Sequence, residues 1–99
     1  MSFVIPSGAA LHCSGADQYI TVAWIVSGDP AGTIQVWRTI GGIGELIHQS
    51  STLVGGIQDQ FAVSVPPVNV YYRIRATNSD GVYVDDFTPT LSYEGHCII

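Results

Sequence analysis

Val68-Asn69-Val70-Tyr71-Tyr72-Arg73-Ile74-Arg75-Ala76-Thr77-Asn78-Ser79-Asp80-Gly81 is the stretch whose reading decides the fold. Val70, Tyr72, Ile74 and Ala76 alternate with Tyr71, Arg73, Arg75 and Thr77. A two-residue period carried by β-branched and aromatic residues predicts a strand with one buried face. Asn78 to Gly81 is a turn cluster that ends the strand and opens another apolar run. The expected object is the central strand of a two-sheet sandwich.

Working outward, Val82 to Tyr93 reads as the last strand. Pro89 cannot donate to a ladder, so it marks an edge or a bulge there. Upstream, Pro66-Pro67 stops a strand predicted over Ile57 to Val65, in which Phe61, Val63 and Val65 alternate with Gln60, Ala62 and Ser64. Thr52 to Gly56 reads as loop, and Leu46 to Ser50 as a short polar strand after the hairpin glycines Gly41, Gly42 and Gly44. Such glycines cradle phosphate only when they feed a helix N-terminus, and no period of 3.6 follows them. Thr33 to Ile40 places Ile34 and Val36 inward and Gln35, Trp37 and Thr39 outward, which leaves Trp37 exposed. Gly28-Asp29-Pro30-Ala31-Gly32 is a turn, Gln18 to Ser27 a strand with Trp24 in mid-core, and Ala9 to Ser14 a first edge strand. Seven short strands with no helical stretch predict an all-β, antiparallel sandwich, with residues 1–99 as a single domain.

Ninety-nine residues bury roughly two thirds of their unfolded surface, enough for a core without metal or disulfide help. The charges are unusual: three arginines, no lysine and eight acids, 11% charged in all. A soluble domain carries about a quarter. So weakly charged an exterior is expected to be covered in part by a protein partner or by copies of itself. A net charge of −5 with three cations excludes backbone-tracking nucleic-acid binding. No basic n-region precedes the early apolar residues that Pro6 interrupts, and no window is long enough to span a membrane. Synthesis and folding in a cytoplasm are the expectation.

Three segments resemble the fibronectin type III group of immunoglobulin-like domains: Ile20-Thr21-Val22-Ala23-Trp24, Phe61-Ala62-Val63, and Tyr72-Arg73-Ile74-Arg75-Ala76-Thr77-Asn78. They look like that family's strand-B tryptophan, its strand-E aromatic-x-aliphatic step and its strand-F run. The resemblance covers nearly the whole chain and implies sheets A, B, E against C, C′, F, G. It departs where Val70 takes the place of the corner tyrosine, with Tyr71 one residue out of phase, and the inter-sheet cysteine pair of antibody domains is absent. The family's roles are binding, spacing and adhesion, and similar single domains occur as accessory proteins on tailed-phage capsids and tails. The resemblance therefore implies a divergent, viral version: a structural protein of the virion, made in the host cytoplasm, with capsid decoration ahead of a tail role. Fold analogy alone names no site.

Among the residues that carry chemistry, His12-Cys13 and His96-Cys97 are expected to meet at one pole. Three readings follow: two unlinked structural cysteines, a Cys13–Cys97 disulfide, or a Cys2His2 zinc site. The zinc site requires both backbones to leave strand geometry, because adjacent strand residues face opposite ways. His48 is expected as a surface imidazole, and Asp85-Asp86 near Asp80 as a solvated acidic edge lacking calcium-loop spacing. No nucleophile-elbow spacing is present, so no catalytic residue, cofactor or metal ligand is assigned and the chain reads as a non-enzyme. The candidate interface is the outer face shared by Trp37, Gln35, Tyr71, Arg73 and Arg75, since Trp, Tyr and Arg dominate interface hot spots. Two further readings stand beside it. Arg73 and Arg75 pair across strands with Asp85 or Glu45 and shade Trp37, or Trp37 and Tyr71 stack on a surface glycan.

Overall fold

The computed structural model describes residues 7–27 and 32–97. The turn expected at Gly28 to Ala31 and the Met1 to Pro6 segment lie outside them. Among the described residues there are eight strands and no helix. They are β1 (Ser7–Ser14), β2 (Asp17–Ile25), β3 (Gly32–Ile40), β4 (Ile43–Ser50), β5 (Val54–Asp59), β6 (Val68–Asn78), β7 (Tyr83–Phe87) and β8 (Leu91–Tyr93). One sheet has the order β1-β2-β5 and the other β4-β3-β6-β7, with β8 also paired to β6. All these pairings are antiparallel.

β6 is the spine of the larger sheet. Its even-numbered residues Val70, Tyr72, Ile74 and Ala76 are buried and its odd ones are not. They meet Ile20, Val22 and Trp24 of β2 and Ile34 and Val36 of β3, so the core lies between the two sheets. Each of these side chains fully buried contributes on the order of 1.5–3 kcal/mol relative to an exposed one. Trp24 also satisfies its indole N–H, which donates to the Thr52 carbonyl at 2.9 Å. A Cβ on Gly55 would come within 3.2 Å of the Trp24 ring, so β5 needs a glycine there to approach β2.

Four boundaries differ from the sequence reading. The strand expected over Ile57 to Val65 ends at Asp59, and Val65 is exposed; β5 instead takes in Val54 to Gly56, which had read as loop. The backbone of residues 60–67 leaves the ladder, yet Phe61 and Val63 still pack on the core. The hairpin glycine Gly44 lies inside β4, which begins at Ile43. Finally, the single last strand is two strands, broken at Thr88-Pro89-Thr90. Thr88 closes the break: its N–H donates to the Tyr72 carbonyl, and its Oγ1 accepts from the Tyr72 N–H, both at 2.9 Å. With that split, seven expected strands become eight.

His48 is the other correction. The β3–β4 register slips by one residue between Val36 and Trp37, so His48 pairs with inward-facing Val36. Its ring lies half-buried, 5.7 Å from that of Trp24, and is not the expected surface imidazole.

The β6–β7 hairpin is built by Asn78. Its side-chain Oδ1 accepts from the N–H groups of Asp80 and Val82 at 2.9 and 3.0 Å, and Gly81 takes the left-handed φ of 83° that the turn requires.

Candidate functional site

The outer face of the larger sheet gathers what the strand parity of β3, β6 and β7 dictates. Trp37 lies directly opposite Arg73, Gln35 opposite Arg75, and Thr39 opposite Tyr71. All five candidate interface residues, Gln35, Trp37, Tyr71, Arg73 and Arg75, therefore share one surface. Gln35 donates to Gln49 across β4 at 3.2 Å. β7 and β4 widen the patch, because Phe87 pairs with Arg73, Tyr83 with Thr77, and Leu46 with Trp37. Phe87 and Tyr83 are more than half exposed, at 57% and 51%. Sequence reasoning missed these three; extending the same alternation to β7 marks Tyr83 and Phe87, while Leu46 needs the β4 register slip.

The two arginines of this face are in different states. Arg75 grips Asp85 side-on, Nε to Oδ1 at 2.8 Å and Nη2 to Oδ2 at 3.1 Å, and its guanidinium lies 3.9 Å from the Tyr83 ring centroid. The bond to Asp85 holds the Arg75 pKa above its usual value. This is the expected pairing. Arg73 has Phe87 where Arg75 has Asp85. Its guanidinium instead sits 4.7 Å from the Trp37 ring centroid, so Trp37 is half-buried and not open as expected. The expected pairing with Glu45 belongs to Arg38, at 3.2 Å.

Arg38 faces inward and anchors a polar network at one end of the core. Its Nη1 donates to Asp59 Oδ1 at 2.7 Å, and Asp59 Oδ2 accepts a short hydrogen bond from the Tyr72 hydroxyl. The guanidinium also lies 4.3 Å from the Phe61 ring centroid, and Phe61 stacks on Tyr93. Burial pulls the Arg38 pKa down, but the bonds to Asp59 and Glu45 outweigh it and leave it raised. Tyr72 is pushed far above the ordinary phenol range, first by burial and then by its bond to Asp59. The folded state thus favours the neutral phenol. Its contribution to stability is complete below the unfolded value of 10.0 and is lost as pH climbs above it. Denaturant midpoints taken from pH 8 upward should therefore fall steeply beyond about pH 10 for the wild type, and less steeply for Tyr72→Phe. Parallel profiles would remove Tyr72 from the linkage.

At the same end, beside the start of β2, Cys13 and Cys97 form a disulfide, with Cα atoms 6.0 Å apart. The Cys97 N–H donates to the Ala16 carbonyl at 2.8 Å, and His96 bridges Asp17, so the chain end is laid along the β1–β2 turn. With both sulfurs bonded to each other, the Cys2His2 alternative has no thiolates to offer. His12 donates or accepts at Thr21 Oγ1, 2.8 Å away, and stacks on Tyr19.

No protein-family model, no curated protein and no solved structure matches this chain.

Proposed function

We propose that this is a non-enzymatic β-sandwich module that docks on a larger protein assembly through the outer face of the β4-β3-β6-β7 sheet. The observation carrying the proposal is that face itself, where Trp37, Tyr71, Tyr83, Phe87 and Leu46 surround two of the chain's three arginines. Aromatic residues and arginine dominate binding energy at interfaces, and a contiguous apolar patch of this kind marks an interaction surface. The sheet orders β1-β2-β5 and β4-β3-β6-β7 support a fibronectin type III-like arrangement. With the lysine-free, weakly charged composition, that supports a virion accessory protein, with capsid decoration the leading case. The glycan reading is disfavoured, because a sugar stacks on a bare ring face and Arg73 covers that of Trp37.

Sedimenting a lysate of producing cells on a density gradient tests the proposal. The protein should travel with DNA-filled particles, and Phe87→Ala should weaken particle binding roughly 30-fold, the equivalent of a 2 kcal/mol hot spot. Wild-type protein found only at the top of the gradient overturns it.

A further inference from the structure

We infer that the groove beside Arg73 and Trp37 is a carboxylate-binding subsite, taking an Asp or Glu side chain of the partner protein. The inference rests on the docking reading above and names the chemistry of its centre.

Three observations converge on this groove. The first is the charge inventory: Arg38 is neutralised by Asp59 and Glu45, and Arg75 by Asp85, whereas Arg73 has no acceptor among the described residues. The second is a pair of orphaned donors. Trp37 Nε1 and Arg73 Nε are both buried without a hydrogen-bond partner, and they belong to residues directly opposed across β3 and β6. The stack of guanidinium on indole offsets part of the cost of that charge but accepts no hydrogen bond. The third is space. A groove of about 330 Å³ opens between Trp37, Tyr71, Arg73 and Phe87, with Thr39, Gly42 and Gly44 completing its lining. No acid among the described residues lines it.

The same strand shows what the missing group is. Two residues along β6, Arg75 satisfies its Nε and one Nη through a side-on carboxylate supplied by its β7 partner Asp85. At Arg73 the β7 partner is Phe87, so a carboxylate making the same fork has to come from outside. Trp37 Nε1, on the residue directly across the ladder, is a second unpaired donor beside it. Charge decides between occupants. A second copy of this chain brings its own net −5 against a molecule of the same charge, whereas a separate partner with a local acid meets an isolated positive spot.

The test titrates the isotope-labelled full chain with a blocked alanine–glutamate–alanine tripeptide, following the Trp37 indole N–H and the Arg73 Nε–H by NMR. Both should shift saturably, with at least about tenfold weaker binding of the glutamine tripeptide, because a neutral amide makes no charged fork. Arg73→Gln, with a spectrum still dispersed, should abolish the response. Equal shifts with both peptides, or no shift up to about 20 mM, overturn the inference. So does a response to glucuronate alone, which points to an acidic glycan. The gradient separates this from the docking reading. Wild-type and Arg73→Gln proteins both sedimenting with particles sink the carboxylate subsite alone, whereas wild-type protein left at the top sinks the docking reading.

Discussion

Asp59→Ala should lower the unfolding free energy by about 3–5 kcal/mol, the range for breaking a buried ion pair by removing one partner. Asp59 ends β5 on its inward side and is only 8% exposed. One of its oxygens accepts from Arg38 and the other from Tyr72, so a single truncation strands a cation and a fully buried hydroxyl together. Arg38 keeps Glu45, but that side chain is 69% exposed and its pairing is screened by water. A loss of this size in a chain this short moves the melting temperature down by about 15 °C or more. Asp59→Asn keeps the volume and one acceptor and should cost roughly half as much. Adding Arg38→Met to Asp59→Ala should recover part of the loss, because the stranded charge then disappears. Thermal melts of the four proteins decide it. A loss below about 1 kcal/mol for Asp59→Ala would show that water reaches Arg38 and Tyr72 freely.

That network was the least legible part of the chain, and the reason is geometric. The two-residue period of β3 points Arg38 inward, yet an arginine on the buried parity is the residue a hydrophobic pattern passes over. Its partner Asp59 was hidden because the apolar alternation of Phe61, Val63 and Val65 extended the apparent strand past its true end. Those side chains do pack on the core in part, but from irregular backbone, and alternation alone does not separate the two cases. β6 was legible throughout, since eleven residues of alternation bounded by Pro67 and the Asn78 turn leave one register that buries Tyr72 and Ile74. The candidate face inherits that legibility. Trp37, Arg73 and Arg75 follow from β3 and β6 parity, whereas which arginine finds an acid depends on β7 register, and Pro89 marked only an edge or a bulge in the strand expected over Val82 to Tyr93. The slip that turns His48 inward had no sequence signal, because Ile47 and His48 are each acceptable on either face.

Replacing both Cys13 and Cys97 by serine should cost about 3–4.5 kcal/mol, and reducing the wild type should reproduce most of that loss. The bond joins residues 84 apart in sequence, and closing so long a loop removes about 4.5 kcal/mol of chain entropy from the unfolded state in the loop-closure model. The native state loses little beside it. Glu94 and Gly95 still donate to the Gln18 side chain at 2.8 and 3.2 Å, and the Cys97 N–H still reaches Ala16. Because the effect falls on the unfolded ensemble, the serine variant should also show a larger denaturant slope, as its unfolded chain exposes more surface. Asp59→Ala acts on the native core and should leave the slope unchanged, so urea titrations of the two variants separate the mechanisms. A serine variant with an unchanged slope and a loss under about 1 kcal/mol would mean that contacts between the chain ends persist after unfolding, leaving the disulfide little freedom to remove.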